Sequence, residues 1–330
     1  MTNFVFDHKQ NPEYANALYY EFIRNTCVNV IRDTHLDGVD KTELHSALTR
    51  YIIREKTYTN DTDPVIPYFV YGDEFAADLI SLGATEENAT AFIVNAVKTS
   101  TAYIELLSNF DKISGRVQFG VDFLTIDGKY WLGVWSSVPC NQQKGTCKRA
   151  LAISLTYDKL LRVSDNFIGK RESADDNIIY AFYFALIAMR YDSLGVTKID
   201  IPADLKPPSD ASVVELFASP FSATPKSTYY SLFPDVDAMF GSRGKFPEIA
   251  DLIASDARLY VICAPPNVAK IIEDAVEKTH EILQTTQAQI IFVLPNESNS
   301  DLIRKIEASS FFVKKNTMTD RTVLISSSLH

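Results

Sequence analysis

The sequence predicts a mixed α/β protein in which helices come first and a largely parallel, doubly wound sheet comes last. Three observations predict it. Apolar residues recur at helical spacing through about the first 112 residues. A run rich in β-branched and aromatic residues follows, with Asp127-Gly128 inside it. From residue 213 onward, short β-branched runs alternate with amphipathic stretches, the pattern of strands joined by helices.

Residues 13–32 place Ala15, Leu18, Tyr19, Phe22 and Ile23 along one helical stripe. A second helix over 40–54 uses Leu44, Leu48, Tyr51 and Ile52, and DTDPVIP then breaks the pattern. Two more helices are expected over 72–83 and 85–110. Thr85 caps the latter, with Glu86 and Glu87 in its first turn. Residues 116–138 read as a hairpin turned at Asp127-Gly128. Residues 177–195 form a helix that is apolar nearly all round, hence buried, and is ended by Gly195. Strands follow at 213–217, 259–263, 289–294 and 322–327, with helices near 225–232, 268–284 and 298–308. The expected division is a helical domain over 1–112, a hairpin and basic connecting segment over 113–175, and the sheet domain over 176–330.

Composition bounds the function classes. The chain has 330 residues, 46% hydrophobic and 22% charged, which excludes a disordered or collagenous protein. Its longest apolar stretch, Ile178 to Met189, has 12 residues, short of the roughly 20 that span a bilayer. With no charged-then-apolar N-terminus, a soluble intracellular protein with no membrane partner is expected. A net charge of -10 argues against a nucleic-acid coat held by bulk electrostatics. Residues 142–172 depart from this, with seven basic side chains (among them Lys148, Arg149 and Arg162) against three acidic ones. They read either as a track for a polyanion or as a solvated helix with its flanking loops. Neither the four cysteines nor the five histidines show metal-ligand spacing, so no metal is expected.

In a doubly wound sheet, functional residues gather at the carboxyl ends of the strands. Three features lie there: Glu215-Leu-Phe-Ala-Ser-Pro-Phe-Ser, Phe233-Pro-Asp-Val-Asp-Ala-Met-Phe-Gly-Ser-Arg-Gly, and Val261-Ile-Cys-Ala-Pro-Pro-Asn. In order and approximate spacing these blocks resemble the catalytic core of the cap-specific adenosine N6-methyltransferases, the family of the phosphorylated-CTD-interacting factor. The resemblance covers roughly residues 140–330, and Ile291-Ile-Phe-Val-Leu-Pro looks like its following strand. It implies a Rossmann-like class I methyltransferase domain behind a helical domain with a small β element, acting on an adenosine beside a capped RNA end. It implies S-adenosylmethionine as cofactor, near Glu215, Phe217, Ser219, Pro220, Asp235, Asp237, Gly241 and Ser242. A carboxylate at a strand end commonly takes ribose hydroxyls, and small residues allow close approach. Taken alone, Asp235 and Asp237 also fit a Pro-Asp turn with capping carboxylates. Arg243 suits a cofactor carboxylate, a phosphate or a surface ion pair. With Lys148, Arg149 and Arg162 it is a candidate RNA contact. The WW module of animal members has no counterpart expected here.

The departure from the family pattern is chemical. Relatives read Asn/Asp-Pro-Pro-aromatic where this chain reads Ala264-Pro265-Pro266-Asn267. An adenine amino nitrogen shares its lone pair with the ring and is a poor nucleophile. The Asn or Asp oxygen and a proline carbonyl accept its two hydrogens, and the aromatic ring stacks on the base, worth about 1–3 kcal/mol. Losing one such oriented contact costs about 2.7–4 kcal/mol in comparable sites. Asn267 instead fits an N-cap for a helix starting at Val268. Three readings follow. The first is an impaired methyltransferase fold kept as an RNA-processing or viral assembly subunit with a protein partner. The second is an active enzyme with a changed acceptor, and the third a structural protein on a borrowed fold.

Overall fold

A computed structural model describes residues 2–7, 9–59, 63, 65–109, 118–126, 129–139, 146–194, 212–225, 227–245, 259–295, 300–318 and 321–328. The fold is mixed α/β and divides into two compact units. Unit 1 comprises Met1–Leu160 with Gly169–Val196, and unit 2 comprises Leu161–Ile168 with Thr197–His330.

Unit 1 begins with β1 (Thr2–Asp7), α1 (Pro12–Arg32), α2 (Lys41–Tyr58), α3 (Gly72–Ser81) and α4 (Glu86–Ser108). It continues through β2 (Gln118–Ile126), β3 (Lys129–Pro139) and β4 (Thr146–Leu155) to α6 (Ala174–Leu194), after α5 (Tyr157–Asn166), whose first turn alone belongs here. The Thr85 hydroxyl accepts the Asn88 N–H, the cap expected from the sequence. The hairpin is present too: Ile126 faces Lys129, so a two-residue connection joins β2 and β3, although Asp127 and Gly128 lie outside the described residues. Gly195 also lies outside them. The sheet runs β1-β2-β3-β4, all antiparallel. Its buried face carries Phe6, Phe119, Val121, Leu132 and Val134. Tyr19 and Phe22 of α1 meet Phe119 edge-on at 6.2 and 5.9 Å.

Helix α6 is buried nearly all round, as its sequence predicts. Its buried charge is Arg190, 1% exposed, whose Nε and Nη2 donate to the two Glu21 oxygens at 2.7 and 2.8 Å. A buried guanidinium is tolerable only with such two-point pairing. Strands β1 and β4 were not expected. In β1, Phe4 and Phe6 alternate with Asn3, Val5 and Asp7, but six residues give too few periods to stand out.

Unit 2 contains the second half of α5, β5 (Ser212–Leu216), β6 (Thr228–Tyr230), α7 (Pro234–Asp237) with a 3-10 turn at Ala238–Phe240, and β7 (Leu259–Cys263). Then come α8 (Ala269–Thr285), β8 (Ala288–Pro295), α9 (Ser300–Glu307), β9 (Phe312–Thr317) and β10 (Arg321–Ser327). The six-stranded sheet has the order β6-β5-β7-β8-β10-β9. Strands β6, β5, β7 and β8 are parallel, while β10 is antiparallel to both of its neighbours. The β9–β10 connection is far shorter than the dozen residues a parallel crossover needs, which dictates the reversed pair.

One expected helix, 225–232, is corrected to strand β6. Thr228, Tyr229 and Tyr230 are β-branched or aromatic, and they pair with Val214, Glu215 and Leu216. Helices α8 and α9 cover one sheet face through Ile272, Ala275, Ile282, Leu302 and Ile306, against Leu216, Val261, Cys263 and Phe292. The other face carries Tyr260, Ile262, Ile291, Val293 and Val323.

Candidate functional site

The strand order locates the site. The chain passes from β5 to β6 on one side, then returns to place β7 on the other side of β5. Strands β5 and β7 therefore diverge in their connections, and open α/β sheets bind ligands outside the carboxyl ends at such a switch point. Residues 217–224 and 264–267 leave the sheet there, side by side: Leu216 faces Cys263, and the Ala264 N–H donates to the Leu216 carbonyl at 3.4 Å.

The loop after β5 is held by its own polar groups. Phe217 sits at φ +65°, a left-handed conformation costly for a bulky residue. The Ala218 N–H donates to Tyr230 O at 3.0 Å, tying the loop to β6. Ser219 is buried, and its N–H donates to Ser222 Oγ at 2.8 Å. The Ser222 and Ala223 N–H groups return to Ser219 O at 2.9 and 2.8 Å, making one tight turn around buried Pro220. Glu215, 4% exposed, closes the loop by accepting the Thr224 N–H at 2.7 Å.

The second half of α5 clamps this loop from outside. Arg162 Nη1 donates to Ser222 O at 3.4 Å and Asn166 Nδ2 to Ala223 O at 3.2 Å, one helical turn apart. The next residues hold the 233–244 segment. Phe167 packs on Phe240 at 5.6 Å, and the Ile168 N–H donates to Met239 O at 3.0 Å.

That segment is stitched to β6. The Arg243 N–H donates to Tyr229 O, the Ser231 N–H to Gly244 O, and the hydroxyls of Ser231 and Ser242 lie 2.8 Å apart. Gly241 makes the turn at φ +91°, the conformation that favours glycine. The Tyr229 hydroxyl donates to Phe240 O at 2.9 Å. Burial first, then the Asp237 and Glu215 carboxylates, push this phenol far above its ordinary range. Glu215, Tyr229 and Asp237 thus share one buried neighbourhood.

The structure therefore brings Glu215, Phe217, Ser219, Pro220, Asp237, Gly241 and Ser242 to the β5–β6 end of the sheet. It separates the two aspartates: Asp237 is fully buried and Asp235 exposed. Arg243 is exposed as well. Across β5, Ala264 is half-buried against the Tyr260–Ile262 face and Pro265 is buried. The Pro266 carbonyl accepts the Val268 N–H at 2.7 Å, a tight three-residue turn centred on Asn267. The cap of α8 is Val268, with no side-chain bond, so the expected Asn267 cap is corrected: that turn places Asn267 one residue too early. Lys148 and Arg149 lie on β4 opposite Ser137 and Ser136, with side chains outside the described residues. Sequence reasoning missed Tyr229 and Asn166, the first because its strand was read as helix. The Thr-Tyr-Tyr run after Pro225 was the available signal.

Residues 210–327 match the family described as Phosphorylated CTD interacting factor 1 WW domain. The likeness falls on unit 2. It spans the six-stranded sheet, and both tryptophans of the chain, Trp131 and Trp135, lie outside it. The match to the phosphorylated CTD interacting factor family covers the switch point and every loop just described. Comparison with curated proteins gives no match. Among the described residues, no helix is long and apolar enough to cross a membrane, and no cluster of His, Cys, Asp or Glu could hold a metal ion.

Proposed function

We propose that unit 2 is a Rossmann-like domain of the class I methyltransferase type that binds S-adenosylmethionine at the β5/β7 switch point. In this reading its transfer to a cap adenosine is strongly impaired, and the chain serves as a capped-RNA-binding subunit of an RNA-processing or viral assembly. The observation that carries the reading is the meeting of the Glu215–Thr224 and Ala264–Asn267 loops at that switch point. The name of the matching family, a factor interacting with a phosphorylated CTD, is why a protein partner belongs to the proposal.

The residues fit the cofactor. A carboxylate offers about four lone-pair sites, so Glu215 can take ribose hydroxyls while one oxygen keeps Thr224. Bound cofactor would supply a methyl group on a sulfonium, which needs only a nucleophile in line. The acceptor side is what fails. The Ala264 methyl offers no oxygen to an adenine amino group, so only the proline carbonyls of the loop remain as acceptors, Pro266 O with one lone pair engaged by the Val268 N–H. At about 2.7–4 kcal/mol for a lost oriented contact, transfer falls by about 100- to 1000-fold. Arg243, Arg162 and the β4 cations Lys148 and Arg149 are the proposed RNA contacts, Arg162 also donating to Ser222 O.

Calorimetric titration of S-adenosylmethionine and its demethylated product into the full chain tests the cofactor. Micromolar binding is expected, with transfer to capped adenosine RNA near background. The double variant Ala264→Asn/Asn267→Phe should raise that transfer. No binding at millimolar cofactor would sink the proposal, and brisk transfer by the unmodified chain would sink the impairment.

A further inference from the structure

Unit 2 contains a cavity of about 380 Å³ that the proposed function does not use. It lies on the face covered by α8 and α9, and no residue of the 217–224 or 264–267 loops lines it. Its floor is Phe292 of β8 and Ser326 of β10. One wall is α8, with Val276, His280 and Leu283, and the other is Ile306 with Ala308 just past α9. At the mouth Lys305 and Glu277 face each other at 4.0 Å, both largely exposed.

Ser326 is the informative residue. It is 2% exposed and lines the cavity. The pairing of β10 with β9 slips between Ile325 and Ser326, an irregularity of the kind that re-aims a side chain. A hydroxyl on the floor of a mostly apolar cavity offers a ligand one oriented hydrogen bond, the kind of group that fixes orientation in such sites.

We propose that this cavity is a binding site for a neutral, planar one- or two-ring aromatic molecule carrying one hydrogen-bonding atom. The size is at the low end for ligand pockets, which run from about 300 to 1,000 Å³, so an extended ligand is excluded. The walls are aliphatic and aromatic, with the His280 ring standing edge-on to Phe311 at 5.4 Å, which suits a flat ring. Charge is disfavoured because the two charged groups at the mouth neutralise each other and none reaches the floor. The ligand's hydrogen-bonding atom meets Ser326, and its ring lies on Phe292. The site is independent of the methyltransferase reading.

Indole is the probe, titrated into the full chain by calorimetry. Sub-millimolar to low-millimolar binding is expected. Ser326→Ala should weaken it about 5- to 10-fold, and Ala308→Trp, at an exposed position on the rim, should abolish it. An unchanged unfolding midpoint and unchanged hydrogen-exchange protection of β8 and β10 in Ala308→Trp would show that the variant is folded. Absence of indole binding at 10-fold above the low-millimolar range, on the order of 10 mM, overturns the proposal. So does undiminished binding by Ala308→Trp, and equal affinity in Ser326→Ala refutes the assigned role of the hydroxyl.

Discussion

Phe217 offers a test in which the sign alone is decisive. At an ordinary site Gly is less stable than Ala by about 0.4–1 kcal/mol, because the unfolded chain gains freedom. At φ +65° the order should invert. A side chain bearing a Cβ pays about 1–2 kcal/mol to hold the left-handed conformation, and Gly does not. Both replacements lose the same partial packing of the Phe217 ring against the α8-covered core, so that loss cancels between them. The difference leaves Phe217→Gly more stable than Phe217→Ala by about 0.5–1 kcal/mol. Both tryptophans lie in unit 1, so their fluorescence does not report on β5. Hydrogen exchange of β5 and β7 amides under mild urea does. Equal protection, or greater protection in Phe217→Ala, would refute the argument that strain is stored at this strand end.

Three further outcomes concern unit 1, where tryptophan fluorescence is the natural readout. Glu55 is fully buried and accepts the Tyr68 and Val70 N–H groups at 3.1 and 3.0 Å, so Glu55→Ala should cost about 3 kcal/mol or more in urea unfolding, and Glu55→Gln distinctly less. Arg190→Met leaves the buried Glu21 carboxylate with Arg24 alone, at 3.6 Å, and should cost up to about 3–5 kcal/mol, while Arg190→Met with Glu21→Leu should recover most of it; a double variant no better than the single would count against a desolvation origin. Burial pushes the Asp63 carboxyl up, but the Arg24 guanidinium and the Ile66 and Val65 N–H groups outweigh burial and hold it below its usual value. A depressed folded pKa gives stability that is fully present above the ordinary value of about 3.9 and is lost as pH falls through the folded value. Unit 1 of Asp63→Asn should therefore show a shallower loss of stability below about pH 4 than the unmodified chain.

Where local chemistry decided the outcome, the sequence could be read directly. The Thr85 cap, the Asp127-Gly128 hairpin and the all-round apolar helix α6 each depend on neighbours within a few residues. The elements that were missed depend on distant partners. Strand β6 is three residues long and exists because β5 offers an edge and because residues 241–244 lie along its far side. The Asn267 cap failed for a related reason: the Pro266 carbonyl took the Val268 N–H and moved the helix start by one residue. In the candidate site, the residue types at the strand ends were legible, but their division was not. Asp235 and Asp237 are two positions apart in one Pro-Asp turn, yet one carboxylate is buried near Tyr229 and the other is exposed. Likewise Arg162 looked like part of a basic track, yet its spacing of four from Asn166 on α5 brings both side chains to loop carbonyls.

The residues around the switch point fall into two energetic kinds. Glu215, Ser219, Asn166 and Tyr229 each close a hydrogen bond within unit 2, so they stabilise the loops whether or not a ligand enters. An acceptor side chain at position 264 would act differently. That position packs half-buried against the Tyr260–Ile262 face, where an amide with no substrate to meet loses water without a replacement partner. The penalty is about 1–3 kcal/mol, and Ala avoids it. A chain that binds at this site without completing transfer has no compensating gain from the acceptor, whereas it still depends on every scaffold contact. Loops closed by these hydrogen bonds with a methyl group at 264 are the combination expected under the proposed loss of transfer.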